Sequence, residues 1–137
     1  MKTTKMALSN DMKINVLYSK IHRATVTHAD LEYEGSISID TALIKKGHFF
    51  LNQKVDIYNC NSGSRFSTYI IEGKKGEICL NGAAARHVQK GDKVIIVAYA
   101  SIPIENAATH KPIVVFVDEK NRYKELRKEK RAQRAQY

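Results

Sequence analysis

Short runs of β-branched and aromatic residues, separated by turn signals, constrain the fold of this chain more than any other feature. Seven such runs have the composition or alternation of strands. They cover residues 14–27, 31–39, 55–60, 65–71, 77–80, 94–100 and 113–117. The helical patterns between them are short. The sequence therefore predicts a mainly β protein, and many short strands joined by turns favour a small closed barrel.

Capping and turn residues indicate where several of these elements begin and end. Asp40 can cap a short helix over residues 41–46, which Gly47 would end. The run Asn-Ser-Gly-Ser at 61–64 predicts a four-residue hairpin loop, because Asn and Gly tolerate left-handed backbone angles. Two further short helical segments are predicted over residues 83–87 and 105–110.

Length and composition indicate one globular domain without a membrane segment. With 137 residues and 43% apolar content, the chain can bury a core. Its apolar runs stay well short of the ~20 residues that span a bilayer. Residues 1–10 are polar and lack the apolar stretch of a signal peptide, so we expect a cytoplasmic protein.

The net charge of +9 is concentrated at the C-terminal end of the chain. Residues 120–137 hold eight Lys or Arg and two Glu, which gives +6, and the remainder is close to balanced. We therefore expect three segments: a flexible leader over residues 1–11, a folded domain over residues 12–119, and a basic, disordered tail over residues 120–137.

Five short segments hold most of the residues that could perform chemistry. Ser-Lys-Ile-His-Arg-Ala at 19–24 and Val-Thr-His-Ala-Asp at 26–30 precede Tyr-Glu-Gly-Ser-Ile-Ser-Ile-Asp at 33–40. Arg-Phe-Ser-Thr-Tyr at 65–69 and Asn-Gly-Ala-Ala-Ala at 81–85 follow. In this order and at roughly this spacing, the segments resemble the pyruvoyl-dependent aspartate 1-decarboxylases.

That resemblance, over about residues 12–119, implies a fold, an assembly and a reaction. The family has a double-psi β-barrel and forms a homotetramer with active sites between neighbouring subunits. The chain would cut itself between Gly35 and Ser36 and leave a pyruvoyl group, derived from Ser36, as its cofactor. L-Aspartate would form a Schiff base with that group, lose CO2 and leave as β-alanine, which feeds pantothenate and coenzyme A synthesis. The sequence leaves open whether processing is spontaneous or needs a maturation factor.

The residue types at positions 35 and 36 suit this self-cleavage. Decarboxylation of an amino acid leaves a carbanion that needs an electron sink, and no standard side chain is a carbonyl electrophile. The chain shows neither an obvious pyridoxal-phosphate lysine motif nor a glycine-rich phosphate loop. The hydroxyl of Ser36 can attack the carbonyl of Gly35, and we expect that glycine to leave the carbonyl open and to permit strained backbone angles.

Four residues take roles at the predicted site by type and by the resemblance. Tyr69 matches the family's proton donor, and Thr68 matches a position that hydrogen-bonds at the cleavage site and helps processing. Arg65 can bind a carboxylate through two parallel hydrogen bonds, and Lys20 can add a second positive charge. Without the resemblance, Arg65 and Lys20 would be read as solvated surface residues. Since neighbours alternate in a strand, Thr68 and Tyr69 can share one pocket only through a twist, a bulge or a subunit boundary.

A low-bulk segment is expected to bind substrate, because its backbone N–H groups can approach a carboxylate closely. Its members are Asn81, Gly82, Ala83 and Ala84. Asn81 could also position the scissile carbonyl. We expect His22 to contribute hydrogen bonds near the pocket, Tyr33 to shape the cut, and His28 to be structural.

The remaining signals leave two alternatives open. Cys60 and Cys79 lack metal-ligand spacing and predict reduced, partly buried thiols, and we expect no metal. The chain could instead be a small β-barrel module that binds nucleic acid through its basic tail, although that does not explain why the five segments occur together. It could also decarboxylate a different acidic substrate such as glutamate, since Arg65 would bind either acid.

Overall fold

Nine strands form the framework of residues 11–124, the part of the chain that the computed structural model describes. They are β1 (Lys13–Thr25), β2 (His28–Asp30), β3 (Ser36–Asp40), β4 (Lys54–Asn59), β5 (Arg65–Gly73), β6 (Ile78–Asn81), β7 (Lys93–Pro103), β8 (Ile113–Val117) and β9 (Tyr123–Lys124). Hydrogen-bonded neighbours follow the order β2-β6-β3-β5-β4-β7-β1-β8-β9. The predicted mainly β class is confirmed.

Strand pairing in this sheet is mixed and crosses over repeatedly. The long strand β1 pairs antiparallel with β7 and parallel with β8. β3 pairs parallel with β5 on one side and antiparallel with β6 on the other. Such pairing between strands that are distant along the chain is consistent with the small β-barrel that the sequence predicts.

The short helix α1 (Thr41–Lys46) begins and ends where its caps predict. The carboxylate of Asp40 accepts the backbone N–H of Ala42 at 2.8 Å, which satisfies one of the free donors of the first turn. The N–H of Gly47 donates to the carbonyl of Leu43 at 3.0 Å and closes the last turn. Two 3-10 helices, Gly82–His87 and Ile104–Thr109, lie close to the other predicted helical segments.

The predicted hairpin is present as β4 and β5. Its loop is held by Asn59, whose side-chain oxygen accepts the N–H groups of Asn61 (2.8 Å) and Ser62 (3.2 Å). Gly63 adopts the left-handed backbone that the loop sequence anticipates, with φ of +82°. Local turn chemistry therefore determines this element.

The prediction of one strand over residues 31–39 is wrong for its first half. β2 runs parallel to β6, whereas β3 runs antiparallel to β6 on its other side, so the chain must reverse direction between β2 and β3. Residues 31–35 make that reversal, with Leu31 and Tyr33 more than half exposed. The polar-apolar alternation in this stretch does not reflect pairing.

One apolar core lies on the inner face of the sheet. Its fully buried members include Ile21, Ile37, Ile39, Ile57, Ile70, Ile78 and Ile96, one or two from each of six strands. On β1 and β4 these residues alternate with polar or aromatic side chains, which therefore lie on the outer face. On β5 and β7 the outer positions also include the apolar residues Ile71, Ile95 and Val97.

The described structure includes residues 120–124, beyond the predicted domain end at residue 119. Asn121 is 1% exposed, and β9 pairs with β8. The predicted leader, apart from Asp11, and residues 125–137 of the predicted tail lie outside the described residues. Between residues 11 and 124, the helices are too short to cross a bilayer.

Candidate active site

Ser36 is the first residue of β3, at the point where the chain leaves the 31–35 turn. It is 1% exposed and lies opposite Asn81 across the antiparallel pair of β3 and β6. Its hydroxyl donates to the carbonyl of Glu34 at 3.1 Å and accepts from Asn81 Nδ2 at 2.9 Å. Two hydrogen bonds thus fix the hydroxyl beside the bond that the sequence predicts to break.

Asn81 is the centre of a buried polar group. Its Nδ2 also donates to Ser38 Oγ at 3.1 Å, and its Oδ1 accepts from Cys79 Sγ at 3.2 Å. Ser38 lies opposite Cys79 in the same strand pair, two residues along from Ser36 and Asn81. We call these four residues the polar square, and each is at most 8% exposed.

The two cysteines differ in their surroundings. Cys60 is exposed, whereas Cys79 is buried, and both are free thiols. Burial raises the pKa of Cys79, and the negative charges of Glu77 and Asp30 add to that effect. Cys79 is therefore a protonated thiol at neutral pH, able to donate its hydrogen to Asn81. Sequence reasoning placed neither cysteine at the site.

The glycine with a special backbone at the cut is Gly82. Its φ is +64°, and a Cβ there would lie 2.6 Å from both Cα and N of Gly35. Gly35 is not among the positive-φ residues, and a Cβ added to it would meet only the carbonyl oxygen of Asn81, at 3.9 Å. Gly35 is therefore not held in a left-handed conformation; the close approach of β6 to the turn before Ser36 requires a glycine at 82.

Tyr69 lies on β5, the strand adjacent to Ser36. β3 and β5 run parallel with Ile37 opposite Ile70, and Ser36 and Tyr69 immediately precede those residues. Paired residues share a face of the sheet, so Tyr69 lies on the same face as Ser36. Arg65 is four positions earlier and lies on that face too. The structure thus places Arg65 and Tyr69 on the outer face that carries the predicted cleavage site.

Two tyrosines that the sequence did not single out accompany Arg65. The guanidinium carbon of Arg65 lies 4.1 Å from the ring centroid of Tyr58, and the hydroxyls of Tyr58 and Tyr99 are 2.9 Å apart. The hydrogen bond to Tyr99, with some burial, raises the pKa of Tyr58 to about 12. Tyr58 therefore stays neutral beside the cation and orients its planar group.

Lys20 shares this outer face but lies far along it. A row of paired residues runs from Lys20 through Val97 and Asp56 to Ser67, and Ser67 Oγ donates to Asp56 at 2.6 Å. Three strands separate β1 from β3 in the sheet order. At about 4.8 Å per strand, Lys20 and Ser36 are roughly 19 Å apart along the sheet. Within one chain, Lys20 and Ser36 therefore do not lie on neighbouring strands.

Thr68 faces the core side of β5. It lies opposite Val55, which is 1% exposed, and β4 pairs with β5 without a register shift. Thr68 and Tyr69 therefore project to opposite faces as the alternation predicts. A bulge in this pair does not bring them together, which leaves a twist or a subunit boundary.

His22 and Tyr33 lie outside β3 and β6, the strands that carry the polar square. His22 is on β1, opposite Phe116 of β8, with ring centroids 5.6 Å apart in an edge-to-face arrangement. Burial first, and then the charges of Lys20 and Arg23, lower the pKa of His22, so this ring is neutral at pH 7. Tyr33 projects from the 31–35 turn and is 54% exposed.

The low-bulk segment passes from the square to the surface within four residues. Asn81 and Gly82 are buried, Ala84 is half-buried and Ala83 is exposed at the start of the 3-10 helix. Within residues 11–124, no group of three or more His, Cys, Asp or Glu side chains is placed to hold a metal ion.

Comparison with known proteins places this geometry in one family. A sequence profile described as Aspartate decarboxylase matches residues 12–124, which is nearly all of the described structure. The match includes the polar square, the β5 residues and Lys20.

Curated relatives cover most of the chain at high identity. Aspartate 1-decarboxylase of Bdellovibrio bacteriovorus is 63% identical over 120 residues, which is 88% of this chain and 97% of the relative. Aspartate 1-decarboxylase of Hydrogenobaculum sp. is 54% identical over 118 residues, 86% of this chain and 94% of the relative. The Campylobacter hominis protein of the same name is 62% identical over 110 residues, 80% of this chain and 96% of the relative.

Proposed function

The chain belongs to the aspartate decarboxylase family, and on that basis we propose that it converts L-aspartate to β-alanine and CO2 after cutting itself between Gly35 and Ser36. The observation that carries this proposal is the setting of Ser36. Its hydroxyl is buried at the start of a strand and held by Asn81, directly after a glycine. Relatives that are 54–63% identical bear the name of the activity.

Activation breaks the peptide bond between Gly35 and Ser36. Ser36 Oγ adds to the Gly35 carbonyl carbon, the C–N bond breaks, and the hydroxyl proton ends on the Ser36 nitrogen, so that an ester replaces the amide. Loss of the Ser36 Cα proton with cleavage of the Cβ–Oγ bond then releases Gly35 as a carboxylate. Water adds, ammonia leaves, and a pyruvoyl group remains at position 36. The 137-residue chain divides into chains of 35 and 102 residues.

The surroundings of position 36 fit this small group. Once formed, the pyruvoyl group supplies the carbonyl electron sink that amino-acid decarboxylation needs. The Asn81 amide, which already donates to Ser36 Oγ, can donate to a carbonyl oxygen at the same place. Gly82, without a Cβ, keeps the wall of the site close to Gly35 and free of bulk.

The residues that bind aspartate lie on the outer face of the sheet. Arg65, whose guanidinium lies over the Tyr58 ring, binds the side-chain carboxylate through parallel hydrogen bonds. Lys20 supplies the second positive charge. Tyr69, next to Ser36 across the β3–β5 pair, gives the proton that replaces the lost carboxylate.

Other predicted residues have supporting roles in this proposal. Backbone N–H groups of Gly82, Ala83 and Ala84 approach the substrate at the end of β6. Thr68 assists processing. His22 and Tyr33 shape the rim of the pocket, His22 from β1 and Tyr33 from the 31–35 turn.

The distance between Lys20 and Ser36 supports a site built from more than one subunit. About 19 Å along the sheet separates them in one chain, and their common face carries exposed aromatic residues such as Tyr99. A neighbouring copy that packs on this face can bring its Lys20 to Ser36. The assembly that we propose is a homotetramer with active sites between neighbouring subunits.

The proposal extends to the setting of the enzyme. It is cytoplasmic, supplies β-alanine for pantothenate synthesis, and consists of a leader, one catalytic domain and a basic tail. The nucleic-acid alternative relied on that tail, of which residues 125–137 lie outside the described residues, and we do not carry it further.

The reaction is tested by measuring the CO2 and β-alanine that the protein releases. Purified protein given L-aspartate should release CO2 and β-alanine in equal amounts, and L-glutamate should give little product. Ser36→Ala should be inactive, whereas Ser62→Ala, which changes an exposed hairpin serine, should keep full activity. Full β-alanine production by Ser36→Ala would contradict the proposal, and faster release of CO2 from glutamate would assign a different substrate.

A further inference from the structure

The polar square contains two residues that the proposed reaction does not use, Ser38 and Cys79. We propose that both are positioning residues for self-cleavage, which hold the Asn81 amide in the one orientation that donates to Ser36. This inference rests on the proposed function, since it concerns how the cut between Gly35 and Ser36 is prepared.

The hydrogen-bond inventory of Asn81 carries the argument. An asparagine amide has two N–H donors on nitrogen and an acceptor oxygen. Here one N–H goes to Ser36 Oγ (2.9 Å), the other goes to Ser38 Oγ (3.1 Å), and the oxygen accepts from Cys79 Sγ (3.2 Å). Asn81 is 3% exposed, so these three side chains, and not solvent, satisfy the hydrogen-bonding groups of its amide.

Cys79 determines which end of the amide meets Ser36. If the amide turned by half a rotation, its NH2 would meet the thiol hydrogen and its oxygen would meet both hydroxyls. A thiol donor favours the observed orientation because it offers a hydrogen to Oδ1. The burial of Cys79 keeps that hydrogen in place at neutral pH.

Ser38 holds the amide from the other side. Its hydroxyl takes the second N–H, which would be a buried donor without a partner if the hydroxyl were lost. Ser38 and Cys79 face each other in the β3–β6 register, and each belongs to a strand that has a neighbouring strand on both sides. The backbone pairing of β3 with β6 thus fixes the positions of the two side chains that hold the Asn81 amide.

The orientation of the amide decides what the Ser36 hydroxyl does. Because Oγ accepts from Asn81, its own hydrogen is directed to the carbonyl of Glu34, at 3.1 Å. One lone pair of Oγ remains for the Gly35 carbonyl carbon. In the turned amide, the hydroxyl would donate to Asn81 Oδ1, and this alignment would be lost.

The test measures the rate of self-cleavage in variants of position 79 that either keep a hydrogen-bond donor or lack one, the latter with side chains of different size. Cys79→Ser keeps a donor and should process within twofold of the wild-type rate, followed as loss of the 137-residue precursor by intact mass. Cys79→Ala and Cys79→Val lack a donor, and each should slow processing roughly five- to tenfold, the effect of about one net hydrogen bond. Ser38→Ala should slow it similarly. Cys60→Ala, at the exposed thiol, is the matched control and should process normally.

The order of the variants separates positioning from packing. Alanine leaves a void and valine fills it, so a packing effect would set them apart, whereas loss of a donor slows both and serine rescues. Thermal midpoints of the precursors, measured in parallel, identify any variant that fails to fold. Wild-type rates for Cys79→Ala and Ser38→Ala would overturn the inference while leaving the proposed function intact. A wild-type chain that stays uncut would overturn both.

Discussion

At the residue scale, a single glycine sets how closely β6 approaches the cleavage turn. Gly82 has a left-handed backbone, and its missing Cβ leaves space that the backbone of Gly35 occupies. The neighbouring atoms are backbone atoms, which do not move aside as a flexible side chain would. A Cβ at Gly35, by contrast, would meet only the carbonyl oxygen of Asn81, at an ordinary contact distance of 3.9 Å.

These two glycines predict opposite results for the same substitution. Gly82→Ala should lower the free energy of unfolding of the precursor by about 2 to 5 kcal/mol, from the left-handed backbone and the clash together. Gly35→Ala should change it by less than about 1 kcal/mol, because its added methyl meets no atom closer than 3.9 Å. Denaturant unfolding, in a Ser36→Ala background that prevents the cut, measures both. Equal losses would contradict this reading.

Tyr58 predicts a late step in the titration of the tyrosines. Its pKa is raised to about 12, so it should ionise after ordinary tyrosines, whose pKa is near 10. The folded state holds this proton more tightly than the unfolded state, so stability is unaffected below about pH 10 and declines from there toward pH 12. Tyrosinate absorbance should show the step in the wild type, and Tyr58→Phe should lack it. Tyr99→Phe, which removes the partner hydroxyl, should move it to lower pH.

At the element scale, Asn121 ties the turn before β9 to two distant parts of the chain. Its Oδ1 accepts the Thr25 N–H at 2.7 Å, and its Nδ2 donates to the carbonyls of Thr25 (2.8 Å) and Gly76 (3.0 Å). Its φ is +63°, a conformation that asparagine tolerates better than most residues. This side chain explains why ordered structure continues past residue 119.

Removal of that side chain should loosen the β8–β9 end. We expect Asn121→Ala to lower the free energy of unfolding by about 2 to 4 kcal/mol, since it breaks three hydrogen bonds and strands a backbone donor. Asn121→Gly tolerates the left-handed backbone but still lacks the hydrogen bonds, so it should lose nearly as much. Thermal or denaturant unfolding measures both variants. If Asn121→Gly were as stable as the wild type, the loss of stability in Asn121→Ala would come from the left-handed backbone angle and not from the lost hydrogen bonds.

The elements that sequence predicts well are those fixed by near neighbours. Asp40 and Gly47 bound α1 within a few residues, and the Asn-rich loop closes the β4–β5 hairpin through Asn59. The turn at 31–35 was predicted as strand because its alternation resembles a strand. The cause of this turn is non-local. β2 and β3 pair with β6 in opposite directions, and no local sequence pattern shows this.

At the scale of the whole molecule, Ser36, Tyr69 and Lys20 share one face of the sheet but not one neighbourhood. Ser36 and Tyr69 are adjacent, whereas Lys20 lies three strands beyond. Alternation along β5 correctly separates Thr68 from Tyr69. The distances along the sheet follow from strand order, which sequence alone does not give.

This arrangement predicts complementation between two inactive variants. Ser36→Ala and Lys20→Ala should each lose most activity alone. Coexpressed in equal amounts, they should regain up to about one quarter of wild-type activity, because random assembly pairs an intact Ser36 with a neighbour's intact Lys20 at that fraction of sites. Mixing the two proteins after separate purification is the control for subunit exchange. Coexpressed chains that stay inactive, in demonstrated mixed oligomers, would place both residues in one subunit.

Much of the candidate site could be predicted from sequence, because the residues proposed to act directly lie in short recognisable segments. Ser36, Arg65, Tyr69 and Asn81 come from such segments. The residues proposed to support them are harder to recognise. Ser38 lies in one of the same segments but, like Cys79, takes its proposed role from the register across β3 and β6, and Tyr58 takes its role from its pairing with Arg65. A buried cysteine or a strand tyrosine has the same local sequence whether it packs or positions a neighbour.

The most direct test of the account is the intact mass of the purified protein. We predict two chains, of 35 and 102 residues, and a longer chain lighter by one ammonia than the same fragment with an unreacted serine at its start. A single uncut chain, or a longer fragment that begins with unmodified Ser36, would contradict the central claim that this serine becomes the catalytic group.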